Sequence, residues 1–124
     1  MRAREIAIPA VMLLSLSVSA DTRLPSPKQI VSFCADPIPR EPSDHFRDFR
    51  VTERDLKQIL TKWHVVPKDD WHHKYHHVAF GCRTGTVNLA SGKVLKWMVK
   101  PGGLATITFP DKTTLFLAKS KPWP

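Results

Sequence analysis

The sequence has little cysteine and none of the compact motifs that mark common catalytic sites. Two cysteines, Cys34 and Cys82, occur in 124 residues, too few for a disulfide-rich scaffold or a four-cysteine zinc site. There is no Gly-x-Ser-x-Gly, no phosphate-binding glycine loop and no His-Glu-x-x-His. Acidic residues are also scarce, at 11 against 19 basic ones. We therefore expect a protein that is not an enzyme.

Long apolar runs are absent except near the N-terminus. Arg2 and Arg4 precede an uncharged apolar run over 6–18, and the small residues Val-Ser-Ala follow at 18–20. This three-part pattern predicts a signal peptide over 1–20. The run is shorter than the ~20 apolar residues of a membrane-spanning helix, so we expect no stable span after cleavage. An uncleaved anchor is the alternative to export into the periplasm or the medium.

The predicted export determines how the two cysteines are interpreted. An oxidising compartment favours a disulfide between an even pair, and we expect Cys34 to bond to Cys82. The closed loop is long, and the chain-entropy model gives such a crosslink roughly 4 kcal/mol. A redox-active pair is the weaker alternative, because redox cysteines usually lie close together in the sequence.

The positive charge indicates an anionic partner. The formal net charge is +8, and the basic residues are scattered along the chain. In an exported protein this charge indicates an acidic protein partner, an anionic envelope component or simply solubility, and a solvated surface is the default interpretation of scattered charges. We expect no nucleic-acid partner. The predicted contact surface combines three sheet lysines with two aromatic residues of the 71–77 loop: Lys93, Lys96, Lys100, Trp71 and Tyr75.

The mature chain divides into a lead-in, one domain and a tail. Residues 21–45 are rich in proline, which fixes φ and removes an amide hydrogen, so an extended lead-in is predicted there. Residues 46–118 form the predicted domain, and 119–124 a fraying tail. Within the domain, 46–51 alternates apolar and charged residues as a half-buried strand does.

The sequence after Val51 predicts one amphipathic helix over 53–63. Thr52 and Asp55 form a weaker version of the capping box. The apolar residues of the segment recur at helical spacing and form one stripe, which we expect to be core: Leu56, Ile59, Leu60 and Trp63.

The C-terminal part of the sequence changes to a period of two. Alternating runs over 84–89, 94–99, 104–109 and 113–118 are separated by Gly- or Pro-containing turns. One face of these strands is apolar and the other is rich in threonine and lysine, which predicts a sheet covered on one side only. The predicted fold is α+β, with the helix packed on a four- to five-stranded antiparallel meander and a single disulfide.

Four of the six histidines lie within one short segment, at 72, 73, 76 and 77. On a helix His72 and His76, or His73 and His77, would lie one turn apart; on a strand His73 and His77 share a side. Either arrangement permits a zinc, copper or nickel site completed by Asp69 or Asp70. A pH-responsive patch, or a polar connection whose histidines face water, explains the same residues.

The domain resembles a family of small, exported, uncharacterised bacterial proteins. The resemblance runs from residue 46 to 117. It is carried by the helix and its start at 50–53, by the aromatic and histidine stretch that ends in Cys82, by Gly85-Thr86-Val87 with Gly92-Lys93, and by Trp97, Gly103 and Asp111. The resemblance implies an exported protein with this architecture, and it implies no particular activity. The resulting hypothesis is a small secreted or periplasmic non-catalytic binding module, with an inhibitor or an immunity-type protein among the candidates. The alternative is a metal-binding or metal-sensing envelope protein.

Overall fold

A computed structural model describes residues 23–40, 44–78 and 80–121. The predicted signal peptide and the end of the predicted tail lie outside these ranges. No helix within them has both the length and the apolar character needed to cross a membrane.

The described residues form an antiparallel sheet of six strands, with helices against it. The order across the sheet is β1-β3-β4-β5-β6-β2, so β4 and β5 are central and β1 and β2 form the edges. The strands are β1 Ile30–Ala35, β2 His64–Val66, β3 Arg83–Leu89, β4 Val94–Lys100, β5 Leu104–Thr108 and β6 Thr114–Ala118. The helices are α1 Glu53–Lys62 and α2 Lys68–His73, with 3-10 turns at Pro27–Gln29 and Asp44–Phe46.

Strands β3 to β6 are the meander that the alternating pattern predicts. Each strand begins and ends within one residue of its predicted bounds. Gly92 adopts φ +95° in the β3–β4 turn, a conformation that glycine reaches without steric cost. In the β5–β6 turn, the Asp111 carboxylate accepts a hydrogen bond from the Thr113 amide, and this bond lowers the pKa of Asp111. Local turn chemistry therefore sets the register of these hairpins.

Helix α1 forms where predicted and covers one face of the sheet. The Thr52 side chain accepts from the Asp55 amide, and the Asp55 carboxylate accepts from the Thr52 amide, which completes a capping box. The apolar stripe of the helix packs on side chains of alternate residues from the strands. The main core consists of Leu56, Ile59, Leu60, Val87, Leu95, Trp97, Val99, Ala105, Ile107 and Leu117, with others at its margin.

The predicted strand over 46–51 is wrong, because a buried arginine binds the carbonyl groups of this segment. Arg83 donates from Nη2 to the Phe46 carbonyl at 2.7 Å and from Nε to the Phe49 carbonyl at 2.9 Å. The carbonyl oxygens of Phe46 and Phe49 therefore accept hydrogen bonds from a side chain and not from the backbone of a neighbouring strand. The segment is a 3-10 turn at Asp44–Phe46 followed by an irregular stretch.

The predicted disulfide is also wrong: Cys34 and Cys82 are both exposed and are not bonded to each other. In the β1–β3 pairing Cys34 lies opposite Thr86, and Cys82 lies four residues before Thr86. Four residues of extended chain span roughly 13 Å, whereas a disulfide needs Cα atoms within about 7 Å. The α+β class fits the structure; the single disulfide does not, and the sheet has six strands.

The predicted lead-in contributes a strand to the sheet. β1 pairs antiparallel with β3 through an irregularity at Val31, which leaves that side chain 65% exposed. Hydrogen bonding within the sheet, and not a crosslink, holds this segment on the domain.

The second face of the sheet is partly covered, in contrast to the prediction of a sheet with one open side. Helix α2 packs there through Trp71, which forms a small second core with Val66, Leu104 and Ala118. Leu104 and Ala118 alternate with Ala105 and Leu117 of the main core, so the two cores lie on opposite faces.

Candidate functional site

Helix α2 divides the histidine cluster between a helix and a loop. The helix ends at His73, so His76 and His77 follow it in irregular backbone. The one-turn spacing of a continuous helix therefore does not apply to either predicted pair. Asp69, His72, His73 and His76 are exposed, whereas His77 is half-buried.

Trp71 docks α2 onto the sheet. Its side chain is 4% exposed, and its indole Nε1–H donates to the Leu117 carbonyl at 3.0 Å. The ring also packs against Phe116 of β6 and His77, with centroid distances of 5.2 and 4.8 Å. The structure thus places Trp71, predicted as a partner contact, in the second core.

His77 lies between Trp71 and Lys100. Its Nε2 is 2.7 Å from the Trp71 carbonyl, and its Nδ1 is 2.9 Å from the Lys100 ammonium. An ammonium group has only donors, so Nδ1 accepts and Nε2 carries the hydrogen that the Trp71 carbonyl accepts. Both ring nitrogens are therefore engaged, and the imidazole joins the end of α2 to β4.

The described residues offer no group of three His, Cys, Asp or Glu side chains arranged to hold a metal ion. The rings of His72 and His77 stack with centroids 6.2 Å apart, and those of His72 and His73 lie 6.4 Å apart. His77 has no nitrogen left for a metal without giving up a hydrogen bond. The geometry adds no support to the predicted metal site.

Tyr75 connects the segment after α2 to the chain that follows β6. Its hydroxyl donates to the Ser120 carbonyl at 2.8 Å. Partial burial raises the pKa of the Tyr75 phenol, and the Asp70 carboxylate nearby raises it further. Asp70 is itself 3.6 Å from the Lys74 ammonium. Tyr75, like Trp71, acts first as a packing residue.

The three predicted contact lysines do not share one surface. Lys96 and Lys100 project from β4 on the face opposite α1, and Lys100 is tied to His77. Lys93 lies in the β3–β4 turn and lines a hollow with Leu89 and Phe109, which belong to the α1 side.

Around Lys96 the sheet has a surface that α2 leaves uncovered, here called the open face. A shallow hollow of about 370 Å³ lies there. Asp36 stands at its rim and accepts a hydrogen bond from the Thr84 hydroxyl at 2.7 Å. The open face is defined by Thr84, Thr86, Lys96, Met98, Thr106 and Thr108. Thr106 is buried and Met98 packs against the second core, so these two residues form its floor and edge, and Lys96 is its exposed cation.

Register explains why these residues meet. Thr86, Lys96 and Thr108 lie directly opposite one another on β3, β4 and β5. Thr84, Met98 and Thr106 form the next row in the same way. The alternation of threonines along each strand indicated the face, and the register of the two consecutive hairpins then determines which hydroxyls flank Lys96.

Comparisons with protein-family models, curated proteins and solved structures found no significant match for this chain.

Proposed function

We propose that this protein is an exported, non-catalytic binding module whose open face docks an acidic surface of a protein partner. The observation that carries the proposal is the exposed Lys96 ammonium at the centre of a hollow flanked by threonine hydroxyls. An inhibitor or an immunity-type protein is the kind of activity that such a module would serve. The proposed location is the periplasm or the medium, supported by the signal-peptide pattern of residues 1–20.

Charge supports an anionic partner for this face. Lys96 has no carboxylate within ion-pair distance in the described part of the chain. Asp36 at the rim keeps its negative charge while it accepts a hydrogen bond from the Thr84 hydroxyl, but it lies outside ion-pair distance of Lys96. Without residues 1–20, which carry Arg2, Arg4 and Glu5, the formal net charge is +7, one less than that of the full chain. An acidic surface is therefore attracted from a distance and then meets the Lys96 ammonium.

The threonine hydroxyls of the open face can donate and accept hydrogen bonds. A hydroxyl both donates and accepts, so Thr86 beside Lys96 can bind carboxylate oxygens or backbone groups of a partner. The Thr108 hydroxyl shares one hydrogen bond with the Thr114 hydroxyl at 3.1 Å and keeps its remaining capacity for a partner. Hydroxyls held on paired strands lose little conformational freedom on binding, which favours a specific contact.

The test uses poly-L-glutamate as an acidic probe and follows backbone amide shifts by NMR. We expect the largest shifts on β3, β4 and β5 around the open face. Lys96→Glu should weaken binding by about five- to tenfold, because charge reversal removes one attraction and adds a repulsion. Lys93→Glu is the matched control: it makes the same change in net charge from the turn on the α1 side, and we expect a smaller effect.

Two results would overturn this proposal. One is equal weakening by Lys96→Glu and Lys93→Glu, which would show a response to net charge alone. The other is a set of shifts concentrated on α1, whose outer surface also carries basic residues such as Arg54 and Lys62.

A further inference from the structure

A second hollow lies on the α1 side of the sheet. This groove has a volume of about 400 Å³ and lies between α1, residues 49–51 and the β4–β5 turn. Small-molecule sites commonly have volumes of ~300–1,000 Å³. Its apolar walls include Ile59 and Val99, which are buried, and Trp63, which is half-buried. The groove therefore suits an organic ligand with an apolar body.

Arg50 provides a fixed cation at this groove. Its Nη1 donates to the carbonyls of Arg47 and Phe49 at 2.7 and 3.1 Å, which orients the guanidinium. Its Nε and Nη2 groups bond to nothing in the described part of the chain. An arginine held by one nitrogen with the others available is organised in advance for a carboxylate.

The segment that carries Arg50 is itself anchored. The Phe49 carbonyl accepts from Arg83 as well as from Arg50, and the Arg83 side chain is only 4% exposed. Arg83 also holds the Phe46 carbonyl. This anchoring lowers the ordering cost of binding at Arg50.

Lys119 adds a second cation at the rim. Its backbone amide donates to the Gly103 carbonyl at 2.8 Å, which places residue 119 beside the β4–β5 turn. Its ammonium has no carboxylate partner among the described residues. The carboxylate that lines the groove, Asp55, accepts from the Thr52 amide in the capping box of α1. Asp55 keeps its single negative charge, and the two cations Arg50 and Lys119 outweigh it, so the charge offered to a ligand by these three groups is positive.

We propose that this groove binds a small carboxylic acid with an apolar body. The carboxylate pairs with Arg50 and Lys119, and the apolar body packs against Trp63, Ile59 and Val99. This site lies on the opposite side of the sheet from the open face, so the inference stands independently of the proposed function.

The test compares two probes that differ only in charge, 2-naphthoate and 2-naphthalenemethanol, by NMR titration of the folded chain. We expect 2-naphthoate to shift the Trp63 indole N–H and the amides of 102, 103 and 119, with a Kd of about 1 mM or lower. The neutral alcohol should bind at least about tenfold more weakly, since it lacks the ion pair.

Single substitutions that each remove one positive charge identify the residues that bind the probe. Arg50→Gln should weaken 2-naphthoate by about tenfold, and Lys119→Gln provides the same test should Arg50→Gln fail to fold. Arg54→Gln, an equal change of charge on α1 outside the groove, and Lys96→Glu on the open face should leave binding unchanged. Equal affinity for the acid and the alcohol, shifts outside the groove, or no shift at about 1 mM probe would overturn the proposal.

Discussion

Among the five glycines, all of which lie in the described part of the chain, Gly85 leaves the least room for a side chain. It lies opposite Trp97 across β3 and β4, and the indole rests over its backbone. On the other side of Trp97 the Phe33 ring stacks at a centroid distance of 5.3 Å. A Cβ at residue 85 would overlap the Trp97 ring and the Cys34 carbonyl oxygen. This glycine is required for side-chain packing and not for a turn.

We predict that Gly85→Ala lowers the free energy of unfolding by about 3 kcal/mol, because neither the buried ring nor the β1 backbone can move away cheaply. Urea unfolding checks this value. Gly92→Ala is the control: an added Cβ there meets nothing within 4 Å, and its cost arises from φ +95° alone, which we put at about 1 kcal/mol. Equal losses in the two variants would contradict the packing argument.

At the scale of elements, α1 and α2 are stabilised in different ways. α1 has ten residues, a complete capping box and a buried stripe. α2 has six residues, no side-chain cap at its N-terminus and Trp71 as its buried residue. A helix this short is not stable by itself in water. Its stability therefore comes from the contact of Trp71 with β6.

We predict that Trp71→Phe loosens α2 without unfolding the domain. The change removes the hydrogen bond to the Leu117 carbonyl and costs about 1–2 kcal/mol. Exchange of the hydrogen-bonded amides over 71–74 should accelerate, while exchange in α1 stays as it was. Trp63→Phe, a change of similar size at the end of α1, should leave the α2 amides unaffected. Faster exchange throughout the sheet in Trp71→Phe would show instead that α2 and the sheet unfold together.

For the whole molecule, the separation of the two cysteines decides the covalent state. We predict that both thiols of the folded, untreated protein react with iodoacetamide, because both residues are exposed and too far apart to bond. Intact-mass analysis should show two labels, and one label for Cys34→Ser. The same spectrum reports the N-terminus, where cleavage after Ala20 is the expected result. An unlabelled chain whose mass is lower by two hydrogens would contradict this prediction and indicate a disulfide between the two cysteines.

The features predicted correctly from the sequence are those set by neighbouring residues. Thr52 and Asp55 are three residues apart and determine the start of α1 without help from the sheet. The alternation within β3 to β6, with turn residues such as Gly92, determines four strands and which side chains face α1. These interactions span few residues, so a local pattern is enough to identify them.

The incorrect predictions concern features that are determined by contacts between residues distant in the sequence. Charge alternation over 46–51 indicated a strand, but Arg83, more than thirty residues away, takes the carbonyls of Phe46 and Phe49. The oxidising compartment expected for an exported protein favoured a Cys34–Cys82 disulfide, but the register of β1 on β3 separates the two residues.

The sequence by itself determined α1, the meander and the apolar face between them, because capping, periodicity and turn formation are local. Only the tertiary structure decided how much of the threonine face α2 leaves open and which residues form the groove at Arg50. Both depend on contacts between distant segments: Trp71 docks α2 on β6, and Arg83 of β3 anchors the segment that carries Arg50. Contacts of this kind are a property of the whole packed chain, and no short window of sequence specifies them.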